Sequence, residues 1–348
     1  MQKLRTVLCL IANVVLLAHV AADELNALPV IIDTDFVMPP SDDSMALMLA
    51  LQSPELRILG ITTVAGNDSV ERATSDVLRM LEIANRSAIP VFRGADMPLV
   101  REKSEYAVRE YGNWYSDDPP PIPHGGFATK RAEDKTAVRF MVDTVMSNPG
   151  KITLIALGPL TNIARAIRDE PLFARSVKRI VVMGGAIALL PDGAGNMTPN
   201  AEFNFWVDPE AARVTLRAPV SIELSPLNVS RKSALTRREY ERLVATDTPL
   251  TALIRDSYGP LFDENPDLSL MMFDQIAMAS VIDPALVMTE SLYVDVDIVR
   301  GMNYGVSVGG RETWPGAERA RKIEVQHDLN WPDFIGMFVE RLQRPLPR

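Results

Sequence analysis

The sequence predicts an α/β protein: one domain with a mostly parallel, open sheet that helices cover on both faces. Short apolar segments rich in β-branched residues alternate with segments of helical periodicity along the 348 residues, and this alternation is typical of parallel sheets. No internal repeat, low-complexity tract or linker divides the chain, which indicates a single domain. The composition, with 47% hydrophobic and 23% charged residues, is that of a globular protein.

The predicted elements follow one another in a regular order. Val30, Ile31 and Ile32 predict a first buried strand, and the apolar residues after Asp42 and Asp43 predict a helix to Leu51. Further strands are predicted at residues 57–68 (running into a Gly-Asn turn), 89–95, 151–160, 179–186, 220–227 and 291–301. Further helices are predicted at residues 69–86, 133–148, 161–170, 207–218, 236–265, 271–284 and 331–343. The polar stretch 97–130 predicts a long loop, and loops of that length are usually functional or mobile.

The N-terminus resembles a secretory signal. Lys3 and Arg5 precede an apolar run from Val7 to about Leu17, which is shorter than the roughly 20 residues that a membrane span needs. We expect residues 1–22 to be a signal peptide and residues 23–348 to form the mature domain, secreted or periplasmic and not held at the membrane after cleavage. A retained N-terminal anchor is the alternative.

Charge and cysteine content limit the function classes. The only cysteine lies within the predicted signal, so disulfides are not expected in the mature domain. The formal charge is −9, and loss of Lys3 and Arg5 would make it −11. An acidic domain of this kind is a poor candidate for binding nucleic acid or anionic membranes.

Four acids lie close together near the first strand. Asp33 and Asp35 follow the apolar run, and period-2 geometry places them on the same side of the strand end. Asp42 and Asp43 open the next helix, where either alone would be an ordinary cap. Four carboxylates within eleven residues repel one another, and a hard divalent cation such as calcium would hold them together. The pattern predicts a metal site.

Polar or glycine-rich segments follow several other strands. Asn67, the Gly158-Pro159 turn and the Gly184-Gly185 pair each come directly after a predicted strand. In an open α/β sheet, ligands bind at the carboxyl ends of the strands. We therefore expect these segments to meet the aspartates in space.

Six motifs together resemble one enzyme family. In chain order they are VIIDTDF with DDSMAL, TTVAGN, ALGPLTNIA, VVMGGA, NMTPNAEFNFWVDPEAA and FDQIA. In this order they resemble the inosine-uridine preferring nucleoside N-ribohydrolases, across roughly residues 29–340. The resemblance implies a Rossmann-like fold and hydrolysis of the N-glycosidic bond of ribonucleosides to base and ribose. It also implies a homo-oligomer, either a dimer or a tetramer.

The resemblance also implies roles for individual residues. A calcium ion (Ca²⁺) would bind the ribose 2′ and 3′ hydroxyls and the attacking water, and Asp35 would also accept the proton of that water. The implied metal ligands are Asp35, Asp43, the Leu157 carbonyl and Asp274. The residues implied to hold the ribose hydroxyls and the 5′ hydroxyl are Asp42, Asn67, Asn196, Glu202 and Asn204. Glu202 and Asn204 are two apart and would point the same way if their segment is extended.

The chain departs from the family pattern in two places. The insertion FVMPPS lies between Asp35 and Asp42, so this loop must bulge outward if both ends reach one ion. Phe273 stands where many members have a histidine that protonates the leaving base. An aromatic residue in that place suggests activation by stacking, and hence a preference for purines. His124 is an alternative contact to the base, or an exposed loop residue.

Other interpretations remain for several residues and for the whole chain. Asp33 is expected to hydrogen-bond backbone near the ligands instead of binding metal, and Asn67 could be only a left-handed turn residue. DTDFV also fits the acidic opening of haloacid-dehalogenase-type phosphatases, which need a downstream lysine and acidic pair that GPLTN and EFN do not supply. The missing histidine motivates a third alternative, a non-catalytic secreted nucleoside-binding protein.

Overall fold

The structure is a computed structural model that describes residues 27–102 and 119–346. The predicted signal peptide (1–22) and residues 103–118 of the predicted long loop lie outside these ranges.

One sheet organises the described residues. Its strand order is β10-β9-β11-β6-β5-β4-β1-β2-β3. All neighbours from β11 to β3 are parallel, whereas β9 is antiparallel to both β10 and β11. The nine strands are β1 (Leu28–Thr34), β2 (Leu56–Thr63), β3 (Val91–Arg93), β4 (Thr153–Ala156), β5 (Arg179–Met183), β6 (Ile222–Ser225), β9 (Val287–Val296), β10 (Ser307–Gly310) and β11 (Arg321–Leu329). The predicted mostly parallel sheet is confirmed.

Helices cover both faces of this sheet. Val30 and Ile32 of β1 belong to one buried apolar cluster, whereas Ile31, between them, belongs to the other. Burial on both faces explains why β1 is a continuous apolar run. The helices are α1 (Asp42–Leu51), α2 (Val70–Ile83), α3 (Ala137–Ser147), α4 (Thr161–Asp169), α5 (Phe173–Ser176), α6 (Phe203–Val207), α7 (Pro209–Leu216), α8 (Leu227–Ser230), α9 (Arg237–Leu243), α10 (Pro249–Glu264), α11 (Asp274–Ile282) and α12 (Trp331–Leu342). Within the described ranges, no helix combines the length and the apolar character that crossing a bilayer requires.

The C-terminal part differs from the prediction. Strands β10 and β11 were not predicted, nor was the small antiparallel pair β7 (Leu235–Thr236) and β8 (Ser269–Leu270). β10 reads SVGG and β11 reads RKIEVQHDL, so glycine and charged residues hide the strand pattern. The predicted helical stretch 236–265 is two helices, α9 and α10, because Thr248 caps a new helix that begins at Pro249.

Candidate active site

A cavity opens where the parallel strands end at their carboxyl edge. The predicted convergence of the segments that follow β1, β2, β4 and β5 is confirmed, since residues from all four contribute to the cavity or contact its walls. It is lined by Asp35, Asp42, Asp43, Asn67, Leu157, Met183, Asn196, Glu202, Phe203, Asn204, Phe273 and Asp274.

Three acids in this cavity form a compact group. One carboxylate oxygen from each of Asp42, Asp43 and Asp274 lies within 4.8 Å of the other two. The side chain of Ser41 caps α1 by accepting the N–H of Ser44 at 3.2 Å, so neither Asp42 nor Asp43 serves as the cap. Oδ1 of Asp274 is buried and has no hydrogen-bond partner among the described residues. We call these three residues the acidic trio.

Neighbouring side chains fix the carboxylate of Asp43. The hydroxyl of Thr34 donates a short hydrogen bond to Oδ1, and Nδ2 of Asn67 donates to Oδ2 at 2.8 Å. Burial, followed by repulsion from Asp42, raises the pKa of Asp43 to about 7. Burial and the neighbouring acids likewise raise the pKa of Asp274 well above its usual value. These charges favour a positive partner.

Asp35 occupies a narrow slot beside the trio. Its Oδ2 accepts the backbone N–H of Asn67 at 2.7 Å, and its carboxyl group also contacts that of Asp43. A Cβ added at Gly66 would lie 2.1 Å from Oδ2, and one added at Gly158 would lie 2.6 Å from Oδ1. Only glycine fits on either side of this carboxylate. Burial, then repulsion from Asp43, raises the pKa of Asp35 well above its usual value.

The inserted loop 36–41 is anchored and does not simply bulge outward. Phe36 and Met38 are buried in the core, and only the region of Pro40 is exposed. The carboxylate of Asp76 in α2 accepts the backbone N–H of Met38 at 3.0 Å. Both ends of the loop therefore reach the cavity, as predicted, because the apolar residues within it point inward.

The segment around Glu202 forms the opposite wall of the cavity. Glu202 caps α6 and accepts backbone N–H groups from Asn204, Phe205 and Gly185 at 2.8–3.0 Å. The condition under which Glu202 and Asn204 would point the same way, an extended segment, is not met, because Glu202 starts a helix. Both side chains still reach the cavity. Nδ2 of Asn204 donates to the carbonyl of Leu157 at 2.8 Å, and a carbonyl oxygen has a second lone pair for another partner.

Phe273 lies at the edge of the cavity, directly before Asp274. It is half-buried against the apolar core, and its N–H donates to the side chain of Gln275 at 2.9 Å. The cavity-lining residues of the described chain include no histidine, lysine, arginine or tyrosine. The described lining residues therefore offer no imidazole to protonate a leaving base.

His124 is not brought to the site. It is exposed and does not line the cavity, and its carbonyl accepts a hydrogen bond from Nε of Arg79 at 2.9 Å. Arg79 lies in the last part of α2, whereas the cavity is at the start of that helix. The interpretation of His124 as an exposed loop residue agrees with this position, and a contact to the base does not.

Two further interpretations are decided by the geometry. Asp33 does not line the cavity: its Oδ1 accepts from the Thr62 hydroxyl at 2.6 Å and from Nδ2 of Asn162 at 2.8 Å. It has the expected hydrogen-bonding role, but these partners are side chains and not the expected backbone. β1 ends at Thr34, so the alternation of a strand does not extend to Asp35, and the two acids separate. Asn67 is not a left-handed residue, since the described non-glycine residues with positive φ are Asn85 and Asp192.

Sequence reasoning missed some residues of the site. Thr34 hydrogen-bonds to Asp43. In the sequence it lies between Asp33 and Asp35, and nothing about this threonine predicts a role in the site. Phe203 lines the cavity, but in the sequence it is only the middle residue of EFN. Met183 was not missed: its position before Gly184-Gly185 predicts core or pocket wall, and it lines the cavity.

The donor set suits a hard metal cation. The trio supplies three carboxylates, Asp274 brings a buried oxygen without a partner, and the Leu157 carbonyl lines the same cavity. Calcium takes six to eight oxygen ligands, whereas zinc prefers nitrogen and sulfur. The residues present fit an oxygen-coordinated divalent ion.

Comparison with known proteins agrees with this geometry. A model of the family described as inosine-uridine preferring nucleoside hydrolase matches residues 30–336. The pyrimidine-specific ribonucleoside hydrolases RihA of Salmonella typhi and Citrobacter koseri are each 33% identical, with 91% of this chain and 99% and 98% of theirs covered. A plant nucleoside hydrolase has a TM-score of 0.78 at 28% identity, covering 91% of this chain and 99% of its own. A purine-preferring ribonucleoside hydrolase from Gardnerella vaginalis has a TM-score of 0.73 at 25% identity, covering 90% and 98%.

Proposed function

Because the chain belongs to the inosine-uridine preferring nucleoside hydrolase family and is a ribonucleoside hydrolase, we propose that it uses one calcium ion and Asp35 to hydrolyse nucleosides, with a preference for purine ribosides. Family membership favours this activity over a haloacid-dehalogenase-type phosphatase and over a non-catalytic nucleoside-binding protein.

One observation carries the choice of metal site: the buried oxygen of Asp274 has no hydrogen-bond partner and lies beside Asp42 and Asp43. An unpaired buried carboxylate oxygen is costly, and a cation beside it removes that cost. Asp35, Asp43, Asp274 and the Leu157 carbonyl are the proposed ligands, as the resemblance implies. We add Asp42, which the resemblance assigns to the ribose hydroxyls, because its carboxylate lies beside those of Asp43 and Asp274. Bound calcium would orient the ribose 2′ and 3′ hydroxyls and make the attacking water more acidic.

The carboxylates also suit the charge that develops in the reaction. Water attacks the anomeric carbon, and the C–N bond breaks with its electron pair leaving on the base. The sugar passes through an oxocarbenium-like state, which nearby anions stabilise as they do for O-glycosides. Asp35 accepts the proton of the water, since its carboxylate lies in the same cavity and its pKa is raised. The trio and Glu202 supply the remaining negative charge.

Phe273 supports the proposed base preference. A purine offers a larger π surface than a pyrimidine for stacking on a phenyl ring. The compared proteins include both pyrimidine-specific and purine-preferring enzymes, so the proposal rests on Phe273 and on the lack of a histidine among the described lining residues. A reducing-sugar assay with inosine, guanosine, uridine and cytidine, with calcium or with a chelator, tests the substrate class and the metal together.

Changing Phe273 to alanine should lower kcat/KM for inosine by about 10-fold, the loss expected when an aromatic contact of roughly 1.5 kcal/mol is removed. Uridine should lose less. Phe273→Leu, which keeps the apolar contact with the core but removes the ring, should behave like the alanine variant. His124→Ala is the matched comparison and should leave inosine turnover unchanged. If His124→Ala abolishes turnover while Phe273→Ala has no effect, the stacking proposal is wrong.

Changing Asn204 to alanine should lower kcat/KM for inosine on the order of 100-fold, because the side chain holds both the Leu157 carbonyl and the proposed sugar site. The variant should also lose thermal stability, since two buried carbonyls lose a donor.

The control variant Asn162→Ala separates the loss of activity from the loss of thermal stability. Asn162 is equally buried and equally hydrogen-bonded, to Asp33, to the carbonyl of Thr63 and to the N–H of Ala95, but it does not line the cavity. It should lower the melting temperature while most turnover per folded molecule remains. An Asn204→Ala protein that melted early but hydrolysed inosine normally would contradict the sugar-binding role.

A further inference from the structure

We propose that Arg231 is a positioning residue that holds Asn196 in place for the sugar, and so determines how strongly the enzyme depends on the 5′ hydroxyl of its substrate. Arg231 is half-buried and follows the single-turn helix α8. Its Nη1 donates to the carbonyls of Asp192 and Ala194, and its Nη2 donates to the carbonyl of Gly195 at 3.2 Å. The three carbonyls lie within the four residues that precede Asn196.

These contacts are to the backbone of residues 192–195, whereas the other hydrogen bonds of the loop near Asn196 run to Pro199 and Ala201 within the loop. Asn228, one turn before Arg231, holds the start of the same loop by donating to the carbonyls of Ile187 and Pro191. Most of residues 191–200 are exposed, so apolar burial contributes little to fixing their conformation. A planar guanidinium with five fixed donors can satisfy several carbonyls at once, which a lysine cannot. Arg231 therefore fixes the path of the chain into Asn196.

The amide of Asn196 is prepared for a ligand hydroxyl. Its Oδ1 accepts the N–H of Phe203 at 3.0 Å, and its backbone N–H donates to the carbonyl of Ala201 at 3.1 Å. Within the described part of the chain, its Nδ2 has no hydrogen-bond partner, and the side chain lines the mouth of the cavity. The position of this donor depends on the backbone that Arg231 holds.

On the premise of the proposed function, the geometry of a ribonucleoside indicates which of its hydroxyls contacts Asn196. If the 2′ and 3′ hydroxyls face the acidic trio, the 5′ hydroxyl extends from the other side of the furanose ring. Asn67 and Asn204 are hydrogen-bonded to Asp43 and to the Leu157 carbonyl, which are proposed metal ligands, whereas the side chain of Asn196 bonds to the N–H of Phe203. Among the residues that the resemblance implies for the sugar, Asn196 is therefore taken for the 5′ hydroxyl, and Arg231 acts through it.

The experiment compares inosine with 5′-deoxyinosine, which lacks only the 5′ oxygen. Arg231→Ala should lower kcat/KM for inosine roughly 10-fold, the value of one well-placed hydrogen bond, and change that for 5′-deoxyinosine less than about 2-fold. Arg231→Lys keeps the charge, folds with less perturbation, and should show a smaller loss with the same substrate dependence. Lys232→Ala, which removes an exposed ion pair with the side chain of Asp192, is the matched control and should affect neither substrate.

The Asn196→Ala variant distinguishes failure of this proposal from failure of the proposed function. It should also lose activity on inosine selectively, and the double variant with Arg231→Ala should be no worse than Asn196→Ala alone. If Asn196→Ala affects both substrates equally or neither, the proposed sugar role of Asn196 is wrong, and the inference fails with it. If Asn196→Ala is selective but Arg231→Ala and Arg231→Lys are not, the sugar role stands and Arg231 has only a structural role.

Discussion

Replacing Asp43 by asparagine is expected to abolish stoichiometric calcium binding and to reduce inosine hydrolysis by at least about 1,000-fold, because the variant loses a charged ligand and the sugar hydroxyls lose their orientation together. Asp43 is the member of the trio that Thr34 and Asn67 hold in place. Calorimetric titration with calcium and a reducing-sugar assay measure the two losses.

Thermal unfolding gives a second readout of the same change. Without calcium, the ionised carboxylate of Asp43 opposes folding, because its folded-state pKa, about 7, lies above its ordinary value. Its destabilising effect develops as the pH rises from about 4 through 7, so at pH 8 Asp43→Asn should melt at the same temperature as the unmodified chelated protein or higher. Calcium should raise the melting temperature of the unmodified protein and leave the variant unchanged.

Asp76→Asn is the matched control for Asp43→Asn. Burial also raises the pKa of Asp76, to about 6, but its side chain accepts the N–H of Met38 and does not line the cavity. An asparagine oxygen can accept the same N–H, so calcium binding should be retained. If Asp43→Asn keeps stoichiometric calcium and full activity, the assignment of the metal site is wrong.

The sheet was largely predictable from sequence because its central strands are buried on both faces. Val30, Ile31 and Ile32 form an uninterrupted apolar run. Such a run predicts a strand without any knowledge of which strand pairs with it. β10 is the antiparallel edge strand and is rich in glycine, whereas β11 lies between β9 and β6, is antiparallel to β9 and parallel to β6, and is rich in charged residues. Their pairing with β9 is a long-range contact that local patterns do not reveal.

The residues of the site could largely be predicted from the sequence, but the orientations of their side chains could not. Placing strand ends at one edge of the sheet correctly joins Asp35, Asn67 and the residues after β4 and β5. The orientation of single side chains depends on where an element ends: Asp33 and Asp35 separate because β1 stops at Thr34, and Glu202 turns inward as a helix cap. The position of His124 relative to the site could not be predicted for a related reason. The sequence of a loop does not show which helix or strand the loop contacts.

Replacing Asp35 by asparagine should lower kcat for inosine on the order of 1,000-fold, within the range lost when a general base is removed. The amide has nearly the shape of the carboxylate, so the slot between Gly66 and Gly158 should still accept it. Its oxygen can keep the hydrogen bond from the N–H of Asn67, whereas it cannot take a proton from water at neutral pH. Asp35 is also adjacent to the acidic trio without being part of it.

Because Asp35 lies beside the acidic trio, we expect its replacement to affect calcium binding and catalysis to different extents. Asp35→Asn should bind calcium more weakly than the unmodified protein but still measurably, because the three acids of the trio remain, whereas Asp43→Asn should not bind it. At saturating calcium the loss in kcat should persist, which separates the base from the ligand role. Asp33→Asn, a change at a buried acid two residues earlier that does not line the cavity, should retain most turnover. Full recovery of the Asp35→Asn variant by excess calcium would show that Asp35 serves the metal alone and that another group accepts the proton.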